Sequence, residues 1–518
     1  MSLSFKSNIK NTLLKIDSIR IGFHQTFVLA VFKKNQQYCL QSFEKGSGFT
    51  ETYFSIFESI DLFLFACFYS KFLNLAPFRR INANMARAGL SLVVLAILAN
   101  SINAQQCGLT NPPINCRCYG LNIDCSAQSN GTTISSIPVL PAGTVQFTAV
   151  NQSISNIDAS SFVNCLTNLT TINLNGNRVE NATDTNFAGL TRLTTLELNQ
   201  NALDSFTFST GIPTLQVLKL NNNRLGNSVD LSKHSSLTNV DVSNNQIMTL
   251  NLPAKLMILN IANNILPSGV PADVSLSAKT LTSLTMDSVI LDGFDGNTFT
   301  QPMISLSQIS ANTCNMKSLS ADFFKNTPVL AYLFLSNNKY TPSTLQVGTF
   351  APISNTLITL DLGQNVQLGQ FLPCLCTDMP NLIELVYKQT GLTSLDTYNG
   401  TCSLNYLNSL DISSNQKLVS ISDTSVISQM GKLRSIDVSF TKLKSVAGGV
   451  WAAPALNMIT MKSTSISTVG SLFNYSASKI FLSDPEIWSC LDFFRIIFGQ
   501  KTNFSKIFNN TRLKGRPE

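Results

Sequence analysis

Leu169-Thr-Thr-Ile172-Asn-Leu174-Asn-Gly-Asn177-Arg-Val179 decides how the chain is read. Its apolar residues stand at positions one, four, six and eleven, with an Asn at nine. The same spacing returns in Leu193, Leu196, Leu198, Asn201 and Leu203, and again in Leu215, Leu218, Leu220, Asn223 and Leu225. Working outward, matching segments start at 144, 169, 193, 215, 237, 256, 281, 304, 330, 357, 382, 407, 433 and 456. One such segment carries little weight, but fourteen in phase define a repeat of 19 to 27 residues. Positions four and six alternate with polar residues, as a strand with one buried face requires.

Each unit is too short to bury its own apolar face, so successive units must stack. The fold class expected is an α/β solenoid, a leucine-rich-repeat horseshoe. A parallel β-sheet lines its concave side, and an irregular or short-helical connection closes the convex side. At about 4.8 Å per strand, fourteen turns give a concave arc of roughly 65 Å. That suits a protein partner better than a small molecule. The ninth position is Asn at 177, 201, 223, 245, 264, 312, 338, 365 and 415, where an amide can satisfy buried backbone groups. Gln152 takes the place in the first turn, and Thr390, Thr441 and Thr464 take it late. Val289 cannot hydrogen-bond there, so a local defect is expected in that turn. Phe162, Phe187, Phe299 and Phe350 are read as apolar packing on the convex side.

Ahead of the first turn stand Cys107, Cys116, Cys118 and Cys125, followed by Ile137-Pro-Val-Leu140-Pro141. Spacing alone allows three pairings, and a zinc site is the rival reading of four cysteines. Cap and phased repeats together resemble the extracellular leucine-rich-repeat family with a cysteine-rich N-terminal cap, which includes receptor ectodomains and small matrix proteoglycans. The resemblance covers about 105–482. It implies disulfides Cys107–Cys118 and Cys116–Cys125, with the cap covering the first turn's apolar edge. Cys376 and Cys402 stand at similar depths in adjacent turns and are expected to form a bridge, with Cys374 as the competing partner. Cys165 and Cys314 read as small buried residues. Cys490 follows a segment like the start of a C-terminal cap, but the further cysteines of such a cap are missing from 483–518.

The organisation expected is an extension at 1–84, a signal peptide at 85–104, the cap at 105–141, repeats at 142–482 and a tail at 483–518. Met85-Ala-Arg-Ala-Gly-Leu90 leads into a short apolar run, and Ile102-Asn-Ala104 offers a cleavage site. Residues 1–84 hold 13 of the 33 Phe with no repeat register. They are expected to lie upstream of the true start or to be disordered, the alternative being a cytoplasmic segment before a signal anchor. The formal charge of +7 divides unevenly: residues 105–489 carry nineteen Lys/Arg against twenty-two Asp/Glu, so the excess lies in the flanks. Without a basic stripe, a nucleic-acid partner is disfavoured. An extracellular location is expected, secreted or at the cell surface. A membrane is involved only if an anchor follows the segment seen here.

Sequons at Asn130, Asn151, Asn168, Asn181, Asn399 and Asn474, with two more at Asn503 and Asn509, are candidate glycan sites. One outward column of the concave sheet reads Thr148, Asn173, Glu197, Lys219, Asp241, Asn260, Thr285, Gln308, Phe334, Asp361, Val386, Asp411, Asp437 and Thr460. With Tyr332 beside Phe334, the residues Tyr332, Phe334, Asp361, Asp411 and Asp437 form the candidate contact patch. The plain alternative is an ordinary solvated sheet with a stray aromatic. Lys432, Arg434, Lys442 and Lys444 offer a weaker basic edge for acidic glycans. Asp292-Gly-Phe-Asp295-Gly-Asn297 lacks the closing Glu of a calcium loop and reads as a turn. Only His24 and His234 occur, and no phosphate loop, nucleophile elbow or metal-binding His pair is seen. No enzyme activity, cofactor or metal is expected. The function expected is recognition of a protein, or a glycan, on the concave face. The alternatives are the ectodomain fragment of a membrane receptor and a structural matrix or adhesion protein.

Overall fold

The structure is a computed structural model. It describes residues 109–113, 116–126, 133–396, 401–422, 425–446, 455–465 and 479–481, with four strands inside 13–54. The chain divides into Met1–Ala104 and Gln105–Glu518. In the first unit, Leu13–Ile21, Gln25–Lys34, Gln37–Phe43 and Thr50–Phe54 form an antiparallel meander in sequence order. Runs such as Thr26-Phe-Val-Leu29 in these strands favour extended backbone. The signal segment 85–104, Cys107 and the tail lie outside the described residues, as do Asn130, Asn399, Asn474, Asn503 and Asn509.

In the second unit, a short antiparallel hairpin, Arg117–Tyr119 with Asn122–Asp124, starts the sheet. Gln146–Thr148 joins it in parallel, and each later repeat adds one strand in parallel register, ending with Met458–Thr460 and then Lys479–Phe481. All fourteen expected repeats contribute a strand of three residues. The middle residue of each points inward and is buried, as with Ile172, Leu196, Leu218 and Leu410. Together with the apolar residues at positions one, six and eleven they make one continuous core.

The ladder inside the turn is explicit. Asn201 Nδ2 donates to Leu174 O of the preceding turn at 2.9 Å and to Leu198 O of its own at 3.1 Å. Its Oδ1 accepts the preceding turn's Val179 N–H at 3.0 Å. One amide thus ties two turns at three points, and Asn177, Asn223, Asn245 and Asn264 repeat the pattern. Gln152 does the same toward the cap, with Ser126 O and Ile134 N–H as partners.

One expectation about the ladder is revised, and the one about Val289 is met. The unit placed at 304 begins at Leu306, because Ile309 pairs in register with Leu284 and Leu333. Its ninth position is therefore Cys314, not Asn312. The Cys314 thiol donates to Met286 O and Asn312 O at 3.3 and 3.4 Å, standing in for the amide. Burial pushes this thiol up to about 12, so it stays protonated and able to donate. Val289 leaves the expected gap. Leu266 N–H, which would meet an Asn there, turns back to Ile247 O at 2.9 Å, and Leu266 sits at φ 34.

The eighth position of every turn is left-handed, an arrangement the repeat spacing did not announce. Asn151, Gln200, Asn222, Asn244, Asn263, Asn337 and Ser414 have φ from 53 to 60, and Gly176 has φ 71. The turn after each strand requires it, and short polar residues or Gly adopt it at least cost. Phe440, at φ 56, is the outlier.

On the convex side the connections are short: 3-10 turns such as Ala159–Phe162 and Asp184–Phe187, and single-turn α-helices Ala321–Lys325 and Pro373–Thr377. Short parallel pairs, including Gly226–Asp230 with Gln246–Asn251, fill the rest. Phe162, Phe187, Phe299 and Phe350 are buried here, as their spacing implied. The rings of Phe294, Phe323, Phe324 and Phe350 form a chain with centroid steps of 4.4 to 5.4 Å. Cys116 is bonded to Cys125, and Cys376 to Cys402 across adjacent turns. Cys118 is also disulfide-bonded. Cys374 is a buried free thiol beside Leu345 O.

Candidate functional site

Two of the three residues in each concave strand face outward, so the sheet presents two long columns. One column runs Gln308, Tyr332, Thr359, Glu384, Ser409, and the other runs Ser310, Phe334, Asp361, Val386, Asp411, Asp437. The register correction places Ser310 rather than Gln308 beside Phe334. Four of the five candidate residues therefore lie in one row, which also includes Val386 and is about 19 Å long at the usual strand spacing. Tyr332 flanks the row and is 40% exposed. Tyr387 points inward instead, and its hydroxyl donates to Gln370 O at 2.7 Å.

The carboxylates have a structural duty that the residue column alone did not reveal. Asp361, Asp411 and Asp437 each accept, through Oδ1, the backbone N–H two residues on, at 2.7 to 2.9 Å. Asn173 and Asn260 do the same for Asn175 and Ala262. Asn and Asp make the same bond there, and a charge adds nothing to its geometry. Asp411 and Asp437 nonetheless pair directly across adjacent strands, where like charges repel. Burial raises the Asp361 carboxyl above the usual range, against the Gly363 N–H bond and nearby Lys388, which hold it down; Asp411 and Glu384 add to the rise. Glu384, absent from the expected patch, accepts from Thr359 Oγ1 at 3.3 Å. It is one polar residue among several in the column of Gln308, Thr359 and Ser409, and its spacing does not set it apart.

Phe440 is the other residue missed. It is 49% exposed, and left-handed backbone is unfavourable for a bulky side chain. A Phe in a column otherwise built of Asn, Gln, Ser, Thr and Gly was the available signal.

The remaining candidates are more ordinary. Asn151 and Asn181 are exposed and Asn168 half-buried, with Asn181 Oδ1 accepting from Ser205 Oγ. Lys432 lies over the Tyr406 ring at 3.8 Å. Asp295 accepts from Asn297 N–H and Thr298 Oγ1, a closed turn. Near it a groove of about 290 Å³ opens beside the ladder gap, lined in part by Pro267, Gly269 and Ile290. Among the described residues no group of three or more His, Cys, Asp or Glu could hold a metal ion. No helix among them is long and apolar enough to cross a membrane.

The leucine rich repeat family matches residues 150–203. The chain matches no curated protein sequence. Among solved structures, it is similar to a leucine-rich-repeat protein of Leptospira interrogans, at 20% identity and TM-score 0.50, covering 66% of this chain and 90% of that one. An internalin from Listeria monocytogenes aligns at 17% identity and TM-score 0.41, covering 66% and 86%. TLR13 in its complex with ssRNA13 aligns at 18% and 0.42, covering 64% of this chain and 55% of that one. The parallel sheet, the ladder inside it and the matched segment together make residues 144–460 a leucine-rich-repeat solenoid.

Proposed function

We propose that this chain is an extracellular recognition module that binds a protein partner on its concave sheet, around Tyr332, Phe334, Asp361, Asp411 and Asp437. One observation carries the reading. The row Phe334 to Asp437 presents an aromatic and three carboxylates at a register position that several earlier turns fill with uncharged Asn or Thr, as at Asn173, Asn260 and Thr285. Aromatic anchors ringed by polar groups are what protein interfaces use. Export is supported by the signal-like segment at 85–104 and by disulfides, which persist in oxidising compartments. Glycans on Asn151 and Asn181 fit that setting.

The test is expression in a secreting host with a photo-crosslinking amino acid at Phe334, and separately at convex Val347, which is 61% exposed. Secretion with crosslinking of a partner from Phe334 alone is the expected result. Retention in the cell, or equal capture from both positions, would overturn the reading.

A further inference from the structure

His234 is fully buried on the convex side, in the turn that starts at Leu215. Its Nδ1 accepts the Ile212 N–H of the preceding turn at 3.1 Å. Nδ1 therefore carries no proton, and the ring's proton sits on Nε2, which is buried and unpartnered. The ring meets Phe208 edge-on at 4.9 Å and Phe206 at 5.8 Å, and Phe208 stacks on Phe187.

Residues 205–212 are held from both neighbouring turns. From the preceding turn, Asp184 accepts from the backbone and hydroxyl of Ser209 and of Thr210. From the following turn, Lys233 O presses so close to Gly211, at φ +73, that a Cβ there would lie 2.5 Å from it. The hydrogen bond that joins the segment to that turn is the one to the imidazole. Comparable ties elsewhere use groups that take no proton near neutrality. Ser277 Oγ accepts Leu256 N–H, and Gln429 Oε1 accepts Cys402 N–H.

We infer that His234 is an acid-sensitive latch, whose protonation frees residues 205–212 from the following turn and uncovers Phe206 and Phe208 while the concave sheet stays formed. A proton from water binds Nδ1 and turns an acceptor into a donor aimed at the Ile212 N–H. That hydrogen bond is lost, and a cation is left among aromatic rings. Asp184 and Asp230 are the carboxylates whose field reaches the ring, with Lys233 adjacent in the chain. Once the segment lifts, the imidazolium meets them in water. Burial holds the closed ring down at about 4, against a free value of about 6.5. Linkage then raises the opening constant by about 70-fold between pH 7.5 and 4.5. An acidified compartment would thus reveal a convex apolar surface hidden at neutral pH.

Hydrogen exchange on the full chain at pH 7.5 and 4.5, corrected for intrinsic rates, reads the latch directly. Residues 211–214, the Ile212 amide above all, should lose protection by tens of fold at the lower pH, while strand Ser205–Thr207, paired with Asn181–Thr183 of the preceding turn, and strand Val217–Lys219 keep their own. His234→Gln, which retains an acceptor but does not titrate, should show no such loss. Equal protection at both pH values, or equal loss in His234→Gln, would overturn the inference, the latter assigning the opening to Asp184 or Asp230. NMR titration of the histidine ring protons in the unsubstituted protein covers the case in which the variant fails to fold. An apparent value near 6.5 for His234 would likewise reject the latch.

Discussion

From Asn177 to Asn264 the ladder is unbroken, five amides each tying two turns. From Val289 onward it is mixed. A Val leaves a gap, Cys314 substitutes a thiol, Thr441 donates within its own turn to Val438 O, and the Thr390 hydroxyl meets Tyr387 O of its own turn and Asn415 Oδ1 of the next. The later region compensates by other means: the chain of Phe rings on the convex side and the Cys376–Cys402 bridge. The difference teaches that a turn needs its backbone groups satisfied and its neighbours held, and that side-chain amides are one of several ways to do both.

The sharpest way to break the comparison is to remove an amide where no substitute exists. Asn223→Ala leaves Leu198 O, Leu220 O and Leu203 N–H without their side-chain partner. At about 1–3 kcal/mol per buried unsatisfied group, urea unfolding should show a loss of about 4 kcal/mol. Thr441→Val, in the mixed region, should cost about 1 kcal/mol. Similar losses for both would erase the distinction.

Opening the Cys376–Cys402 bridge strikes the later region alone. It closes 26 residues, for which chain entropy gives about 3.5 kcal/mol. Cys402→Ser should lower stability by that order and loosen hydrogen exchange around residues 401–446. Loosening around 195–245 instead would contradict a local role.

Acid should weaken the early region. The folded His234 resists protonation down to about 4, while the unfolded chain takes that proton near 6.5. Between these values the unfolded state binds more protons, so stability falls as pH drops from 6.5 to 4 and is flat above. The total is about 3 kcal/mol, absent from a pH series of urea melts on His234→Gln.

The smallest effects should be gains. Val289→Asn restores a donor toward Ile261 O and Met286 O and an acceptor for Leu266 N–H, worth about 1 kcal/mol. Phe440→Asn relieves left-handed strain by about 1 kcal/mol and should weaken partner binding if Phe440 is an anchor. A thermal melt showing destabilisation by Phe440→Asn would mean that the ring packs more than its exposure implies.

Much of this molecule was legible as pattern. Period-two alternation inside a longer period leaves one strand per turn and one buried face, because any other stacking would expose the Leu column to water. The Asn column, the convex Phe residues and the neighbouring positions of Cys376 and Cys402 followed from the same phase. What the pattern left open was register and backbone handedness. Ile304 and Leu306 are both apolar, and Asn312 imitates the ladder residue. Only the parallel pairing of Ile309 with Leu284 and Leu333 selects Cys314. Likewise Asp361, Asp411 and Asp437 carry their charge in the sequence, but that an uncharged Asn would serve the same turn is visible only from the bond each makes. The sequence by itself determined the solenoid, since burial of a periodic apolar face needs no knowledge of partners. The tertiary structure decided which atoms satisfy which, because hydrogen bonds depend on distance and direction, and neither is written in residue spacing.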